Sequence, residues 1–410
     1  MNIKAKNQSS LLGFCALLGG FAGLVIWVFL KVMSMGVDLL WEIGPEKLNL
    51  TIYPMIVCGI GGLLLGLFRR KYGDYPEEMM VVLGKIKRNK HYDYKPMFAI
   101  IISALIPLMI GASVGPEAGL VGIISGICYW VGDNVKAARN DAEDYSQIGV
   151  AVTLGILFHS PLFGIFHVEE DENQENLQIP KSSKLLLYGL SLAAAMAVYV
   201  LLNRIFGGGL GGFPSFDLEA DLVAADYFMM IPYIAAGLVL AKIYEISHHC
   251  FETTMKKIPG GIREMLAGIC LGAVGIILPV FMFSGEHELG TLPEEFIMYQ
   301  PVMWMVIAIV KILMTNLCIQ GGLKGGHFFP LIFAGACMGF GLAAMVFPAG
   351  GHQIFAAAIV TAALLGHNMK KPLAVTLLLM ICFPVKIVVW ILAASVIASK
   401  LFQKEHTSDK

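Results

Sequence analysis

A chain of 410 residues with 57% hydrophobic and only 14% charged side chains does not read as a soluble protein, where charged residues average about 25%. Its formal net charge of −1 gives no reason to expect a nucleic-acid partner. Its apolar stretches suit a hydrocarbon core about 30 Å thick, and the ten-residue alternation of a membrane β-barrel is missing, so the fold class expected is all-α and polytopic.

The opening "MNIKAKNQSS" carries Lys4 and Lys6 ahead of an apolar run at 11–31. That run is too long for a cleaved signal and shows no small-residue cleavage site, so it reads as a retained first helix with a cytoplasmic N-terminus. A second run at 50–68 leads into 69–95, which holds eight Lys/Arg and four Asp/Glu. By the positive-inside rule this loop is cytoplasmic, a topology signal rather than a surface for nucleic acid or lipid phosphate. Runs at 97–113, 118–132 and 146–168 complete a first membrane repeat, 1–170 with its core at 97–170. Residues 171–227 form a connecting loop and linking helix, entered through the acidic "EEDENQEN" (169–176) and containing a run at 185–205 and the flexible "GGGLGGFP" (207–214). The second repeat, 228–402, holds runs at 228–245, 264–283, 300–319, 328–348, 353–366 and 372–399, before a polar tail at 403–410. The eight cysteines are scattered without a CxxC, so neither a disulfide framework nor a zinc site is indicated. "HHCFE" (248–252) has no second ligand cluster at useful spacing; no metal or cofactor is expected.

One carboxylate interrupts the apolar core. In "GASVGPEAGLVG" (111–122), Glu117 is the only charged side chain between Pro96 and Gly132. An acid at such depth costs about 2.5–3.5 kcal/mol on insertion scales and is functional by default. Gly115 permits a chain break, and Pro116 suits a first helical turn. Glu117 is thereby placed beside the free N–H groups and positive end of the following helix, an anion site. There it can occupy the site itself, or withdraw on protonation and admit a free anion.

The pattern recurs. An offset of 211 residues carries Gly115 onto Gly326, Gly111 onto Gly322 and Leu120 onto Leu331. The same offset lays "AVTLGILFHSPL" (151–162) on "AALLGHNMKKPL" (362–373), matching Leu-Gly and Pro-Leu without a gap. The chain is therefore expected to hold two related halves with broken helices. In the second copy, "GGLKGGHFFPL" (321–331) has no acid, so the N–H groups of His327 and Phe328 are open to an anion. Lys324 is a possible pore charge, placed either near the anion route, where it could pair with Glu117, or snorkelling to the interface.

These stretches resemble the CLC family of chloride channels and proton-coupled chloride exchangers. "GPEAG" (115–119) is similar to the family's G-[KR]-E-G-P, with Glu117 on the gating glutamate. "GHFFP" (326–330) matches its G-x-F-x-P in full, and "YGDYPEEM" (72–79) is similar to its G-S-G-I-P-E. "SPLFGIFHVEED" (160–171) resembles the helix ending at the family's inner proton-transfer acid. The resemblance covers most of the chain. It implies two inverted repeats, one pore per subunit and a homodimer in the cell membrane. It also implies anion contacts at Gly115, Gly326, His327, Phe328 and Gly73, and an inner proton acid at Asp171, Glu170 or Glu169. There are departures: Gly73 replaces the anion-coordinating serine, Gly119 replaces a proline, and the C-terminal pore tyrosine is missing. His159 and His167 flank the inner mouth, as helix-end residues or as proton carriers.

The function expected is exchange of chloride or another small anion, fluoride included, for protons. A passive, pH-gated anion channel is the alternative. An intramembrane enzyme is not expected: Ser125 lies in "GIISG", with Ile123 where a rhomboid-type G-x-S-G needs glycine, and no H-E-x-x-H occurs.

Overall fold

The computed structural model describes residues 5–48, 50–134, 142–169, 181–207, 214–218, 221–295, 299–348 and 350–401. The first half contains α1 (Ala5–Asp38), which passes through a π-turn at Leu39–Ile43 into α2 (Gly44–Leu48), then α3 (Tyr53–Tyr72), α4 (Met79–Asn89) and α5 (Met97–Met109). It continues with α6 (Glu117–Asn134), α7 (Ala142–Leu157) and α8 (Pro161–Glu169). Helix α9 (Lys181–Phe206) falls in the linking segment. The second half contains α10 (Ala224–Met255), α11 (Ile262–Ile277), α12 (Glu286–Glu295), α13 (Pro301–Gln320), α14 (Phe328–Val346), α15 (Gln353–Met369), α16 (Pro372–Cys382) and α17 (Val388–Lys400).

The 211-residue offset is written into the backbone as well as the sequence. It carries the first residue of α6 onto that of α14, α7 onto α15 and α8 onto α16. Backbone conformations follow it. Gly111 and Gly322 have φ of 80° and 92°, and His159 and Lys370 have φ of 50° and 54°. Each pair breaks the chain at an equivalent point. The runs at 146–168 and 372–399, each continuous in hydropathy, are therefore two helices apiece. In the first, the left-handed His159 ends one helical path and Pro161 starts the next; in the second, Pro384 marks the division.

Burial divides the helices by layer. Helices α6 and α14 are enclosed along nearly their whole length. Around them α1, α3, α9 and α10 expose apolar side chains such as Leu17, Leu64, Leu201 and Ile231, an outward face suited to lipid. Among the described residues, six helices are long and apolar enough to cross a membrane: those within Leu12–Glu46, Tyr53–Tyr72, Leu185–Phe206, Ala224–Met255, Pro301–Gln320 and Phe328–Val346. The shorter apolar helices Met97–Met109, Tyr145–Leu157, Gln353–Met369 and Pro372–Cys382 complete the broken-helix core.

Small residues set the closest contacts, as packing in lipid requires. Gly62 and Gly66 of α3 press on the backbone of Glu264 and Gly261, and Gly268 and Gly272 of α11 press on that of Cys58 and Met55. Gly19 and Gly23 of α1 meet Ser191 and Ala195 of α9 in the same way.

Candidate functional site

The site is built where the two copies of the broken loop meet. After α5 the chain turns at Gly111, and the N–H of Ala112 donates to Pro107 O at 2.9 Å. After α13 the equivalent turn at Gly322 is closed by Leu323 N–H to Cys318 O at 2.8 Å, at the same offset. The Ser113 hydroxyl, fully buried, is 3.2 Å from that of Thr315 and ties the first turn to α13. The loops then pair with each other: Gly115 N–H donates to Gly326 O at 2.8 Å, and Gly326 N–H to Gly115 O at 2.7 Å, an antiparallel bridge. Reciprocal bonding between equivalent residues is what a local two-fold axis produces, as inverted repeats require.

Two residues further on each strand, helices begin. Glu117 opens α6 and is 1% exposed; His327 caps α14, which opens at Phe328. The Phe328 N–H donates to Glu117 Oε1 at 2.9 Å. The sequence reading placed this carboxylate at the start of its own helix and left the Phe328 amide open to an anion. In the structure the acid reaches across the pseudo-axis and occupies the facing helix. The other carboxylate oxygen, Oε2, is buried with no hydrogen-bond partner among the described residues. An unpaired carboxylate oxygen away from water costs on the order of 1–3 kcal/mol or more, so the Phe328 amide satisfies only one of the two carboxylate oxygens.

Beside it lies a cavity of about 20 Å³ lined by Glu78, Met79, Met80, Glu117, Ala118 and Gly325–Phe328, room for a single water. The starts of α4, α6 and α14 all contribute to its wall, so the positive ends of their dipoles lie near it. The shallow hollow along α10 at Glu245–Thr254 is open surface and shares no residue with this cavity.

The other sequence-derived residues fall as follows. Gly115 and Gly326 form the bridge, and His327 packs its ring on Tyr244 of α10 at 5.6 Å between centroids. Gly73 caps α3 with φ of 109° and donates its N–H to Arg69 O at 2.9 Å. Its loop reaches the cavity through Glu78, Met79 and Met80 instead. Gly119 faces Ala104 of α5 so closely that a side chain would collide, which accounts for a glycine at that position. Lys324 pairs with Asp74 at 3.1 Å rather than with Glu117. Asp74 also meets Arg69, whose Nη1 donates to Gly322 O at 2.6 Å and lies 3.3 Å from Glu264 Oε1. This network ties the loop after α3 to the loop before α14. His167 is 1% exposed and stacks edgewise on Phe328 at 6.2 Å, while His159 holds the left-handed turn before α8. Of the candidate inner acids, Glu169 is the last residue of α8, and Glu170 and Asp171 lie outside the described residues.

Sequence reasoning passed over two polar residues. Glu78, beside the assigned motif stretch, lines the cavity. Lys311 is fully buried in α13 and donates to the carbonyls of Val280, Met282 and Phe283 at 3.0, 2.8 and 2.9 Å. Its signal was a lone lysine inside the apolar run 300–319. No group of three His, Cys, Asp or Glu able to hold a metal occurs among the described residues.

A family model described as voltage gated chloride channel matches residues 61–403. Curated relatives include putative ion-transport protein YfeO of Salmonella typhimurium, 25% identical over 367 residues, with 87% of this chain and 85% of the relative covered. The Escherichia coli protein of the same name is 24% identical over 335 residues, covering 78% and 76%. Among solved structures, a CLC-type fluoride/proton antiporter superposes with a TM-score of 0.74 at 19% identity, covering 98% of this chain and 97% of the other. A slow cyanobacterial Cl−/H+ antiporter gives 0.80 at 14% identity, covering 96% and 95%.

Proposed function

The chain belongs to the voltage-gated chloride channel family, and on that premise we propose that it exchanges a small halide anion for protons, with Glu117 as the gate. The observation that carries this reading is the bond from Phe328 N–H to Glu117 Oε1. As a carboxylate, Glu117 satisfies the helix end that a free anion would otherwise satisfy. Protonation removes its charge and with it the advantage of that position, so an anion replaces it and the neutral acid turns away. Deprotonation on the other side reverses the exchange. Anion and proton thus alternate at one amide. Chloride and fluoride are the substrates proposed, since structural neighbours carry each and the site here relies on backbone N–H groups rather than a selective hydroxyl.

The rest of the proposal is a homodimer in the cell membrane with its N-terminus in the cytoplasm. The basic loop 69–95 supports that orientation. The protein moves ions without catalysing a chemical conversion.

The test is purified protein in liposomes under a chloride or fluoride gradient, with anion flux and internal pH recorded together. Uphill proton movement driven by the anion is the expected result. Anion flux with no proton movement would replace the exchanger by a passive channel, and no flux of either anion would overturn both.

A further inference from the structure

The loop after α3 carries three acids, and two of them have cationic partners. Asp74 meets Arg69 and Lys324, and Glu77 meets Lys85. Glu78 has no ion pair among the described residues. It is the N-cap of α4, with φ −62° and ψ 145°, and its carbonyl accepts from the Val81 and Val82 N–H groups at 2.9 and 3.0 Å. Its side chain makes no capping bond to the first turn. It is half-buried and lines the same cavity as Glu117.

Two acids therefore line that cavity: Glu117, buried, with Oε2 unpartnered, and Glu78, partly open to solvent. The volume of about 20 Å³ accepts one water, which needs two to four polar partners. The carboxyl groups of the two lining acids can supply two of them. Groups of either charge face Glu78 from its surroundings: Lys324 from the loop before α14, His327 from the α14 cap, Tyr244 from α10 and Glu77 from its own loop.

We propose that Glu78 is the proton-exchange partner of Glu117, passing protons to and from its carboxylate through one bridging water. A proton leaves the Glu78 carboxyl for the water oxygen as another leaves the same water for the Glu117 carboxylate. Glu78 ends as a carboxylate, Glu117 as a neutral acid, and the water is unchanged. The return step is the reverse. Because the cavity admits a single occupant, the bridging water and a transported anion exclude each other. The proton reaches Glu117 only while the anion is out of the cavity, an ordering that couples the two fluxes.

This inference rests on the proton-coupled reading above, and the experiment separates the two. Wild-type, Glu78→Gln and Glu78→Asp proteins are reconstituted, and the proton-to-anion ratio is read from reversal potentials under opposed gradients. Loss of a positioned proton carrier lowers transfer by about a hundredfold or more. Glu78→Gln is therefore expected to lose proton movement to that extent, with the proton-to-anion ratio falling accordingly. Glu78→Asp, which keeps a carboxyl, is expected to retain coupling. Should Glu78→Gln not give a monodisperse protein, Glu78→Met, matching its neighbours Met79 and Met80, is measured instead. A wild-type ratio in Glu78→Gln overturns the inference and leaves the antiport reading standing. So does faster anion flux at an unchanged ratio, since Glu78 would then be only an electrostatic barrier. No proton movement by the wild type overturns the antiport reading itself.

Discussion

Adding one methyl group at Gly326 tests the proposed gate without changing the chemistry of its carboxylate. The backbone there is not left-handed, so alanine can adopt it, and the bridge to Gly115 uses only main-chain atoms. A Cβ at this position falls on the carboxyl carbon and Oε1 of Glu117. The obstacle is the far end of a flexible side chain, so Gly326→Ala should expel the carboxylate from the Phe328 amide rather than unfold the loop. What is lost is a charge-assisted hydrogen bond, worth about 1.5–3 kcal/mol. At 1.4 kcal/mol per power of ten, the occupied gate becomes roughly one to two orders of magnitude less favoured. If Glu117 is the gate, as proposed, acid conditions protonate it and vacate the amide in wild-type protein, so anion flux should rise as pH falls. In Gly326→Ala the amide is already vacant, so flux at neutral pH should rise toward the acid value and its pH dependence should flatten. The assay is halide efflux from proteoliposomes across a pH series, with thermal stability in detergent as the folding control. An unchanged pH profile in a folded Gly326→Ala protein would refute the view that Glu117 blocks the site by holding Phe328 N–H.

Glu117→Gln keeps the shape but cannot ionise; it should abolish proton coupling while anion flux persists, and a mutant that still drove protons uphill would remove Glu117 from the mechanism. Lys311→Met leaves the carbonyls of Val280, Met282 and Phe283 without their buried ammonium, a loss on the order of 3 kcal/mol. It should appear as a fall in Tm of several degrees in detergent, and an unchanged Tm would mean the carbonyls had found other donors. Gly62→Leu drives a side chain into the Glu264 carbonyl, where the obstacle is backbone and cannot swing aside. Overpacking of this kind costs about 1–3 kcal/mol and occasionally more, so the yield of monodisperse protein should drop sharply. Normal yield and Tm would show that α3 and α11 can separate.

Much of this architecture can be read from the chain because glycine and proline act locally. Gly111, Gly115, Pro116 and their counterparts mark where helices stop and start, and the offset they define locates α6 against α14 and α8 against α16 to the residue. Hydropathy could not show that 146–168 and 372–399 are each divided, since the residues on both sides of the break are equally apolar and only backbone conformation distinguishes them. Nor could it show which helix end Glu117 satisfies. A helix start is a local property, whereas the donor that a side chain three bonds long reaches depends on what the fold brings opposite. Glu78 was obscured for a related reason. In "YGDYPEEM" it is one of three acids in a loop rich in both charges, and only packing shows that Asp74 and Glu77 are paired while Glu78 borders the cavity. Lys324 was undecided between partners until Asp74 was placed beside it.

The proposed gate follows from a symmetric frame carrying one asymmetric residue. Glu117 and Phe328 are counterparts at the 211-residue offset, so the bond between them joins a residue of one half to its own equivalent in the other. Two helix starts face each other there, each with a dipole equivalent to about half a positive charge. Together they amount to roughly one unit. Were both positions acidic, two carboxylates would meet across the axis and repel; were both phenylalanine, the positive ends would hold an anion with nothing to displace it. With one of each, the Phe328 ring instead packs among Phe158, Phe163 and His167, leaving its N–H clear for a single negative charge. One carboxylate or one small anion balances that field, but not both. A proton on the carboxylate is therefore enough to transfer the position from the tethered charge to the mobile one, which is the elementary step that proton-coupled exchange needs.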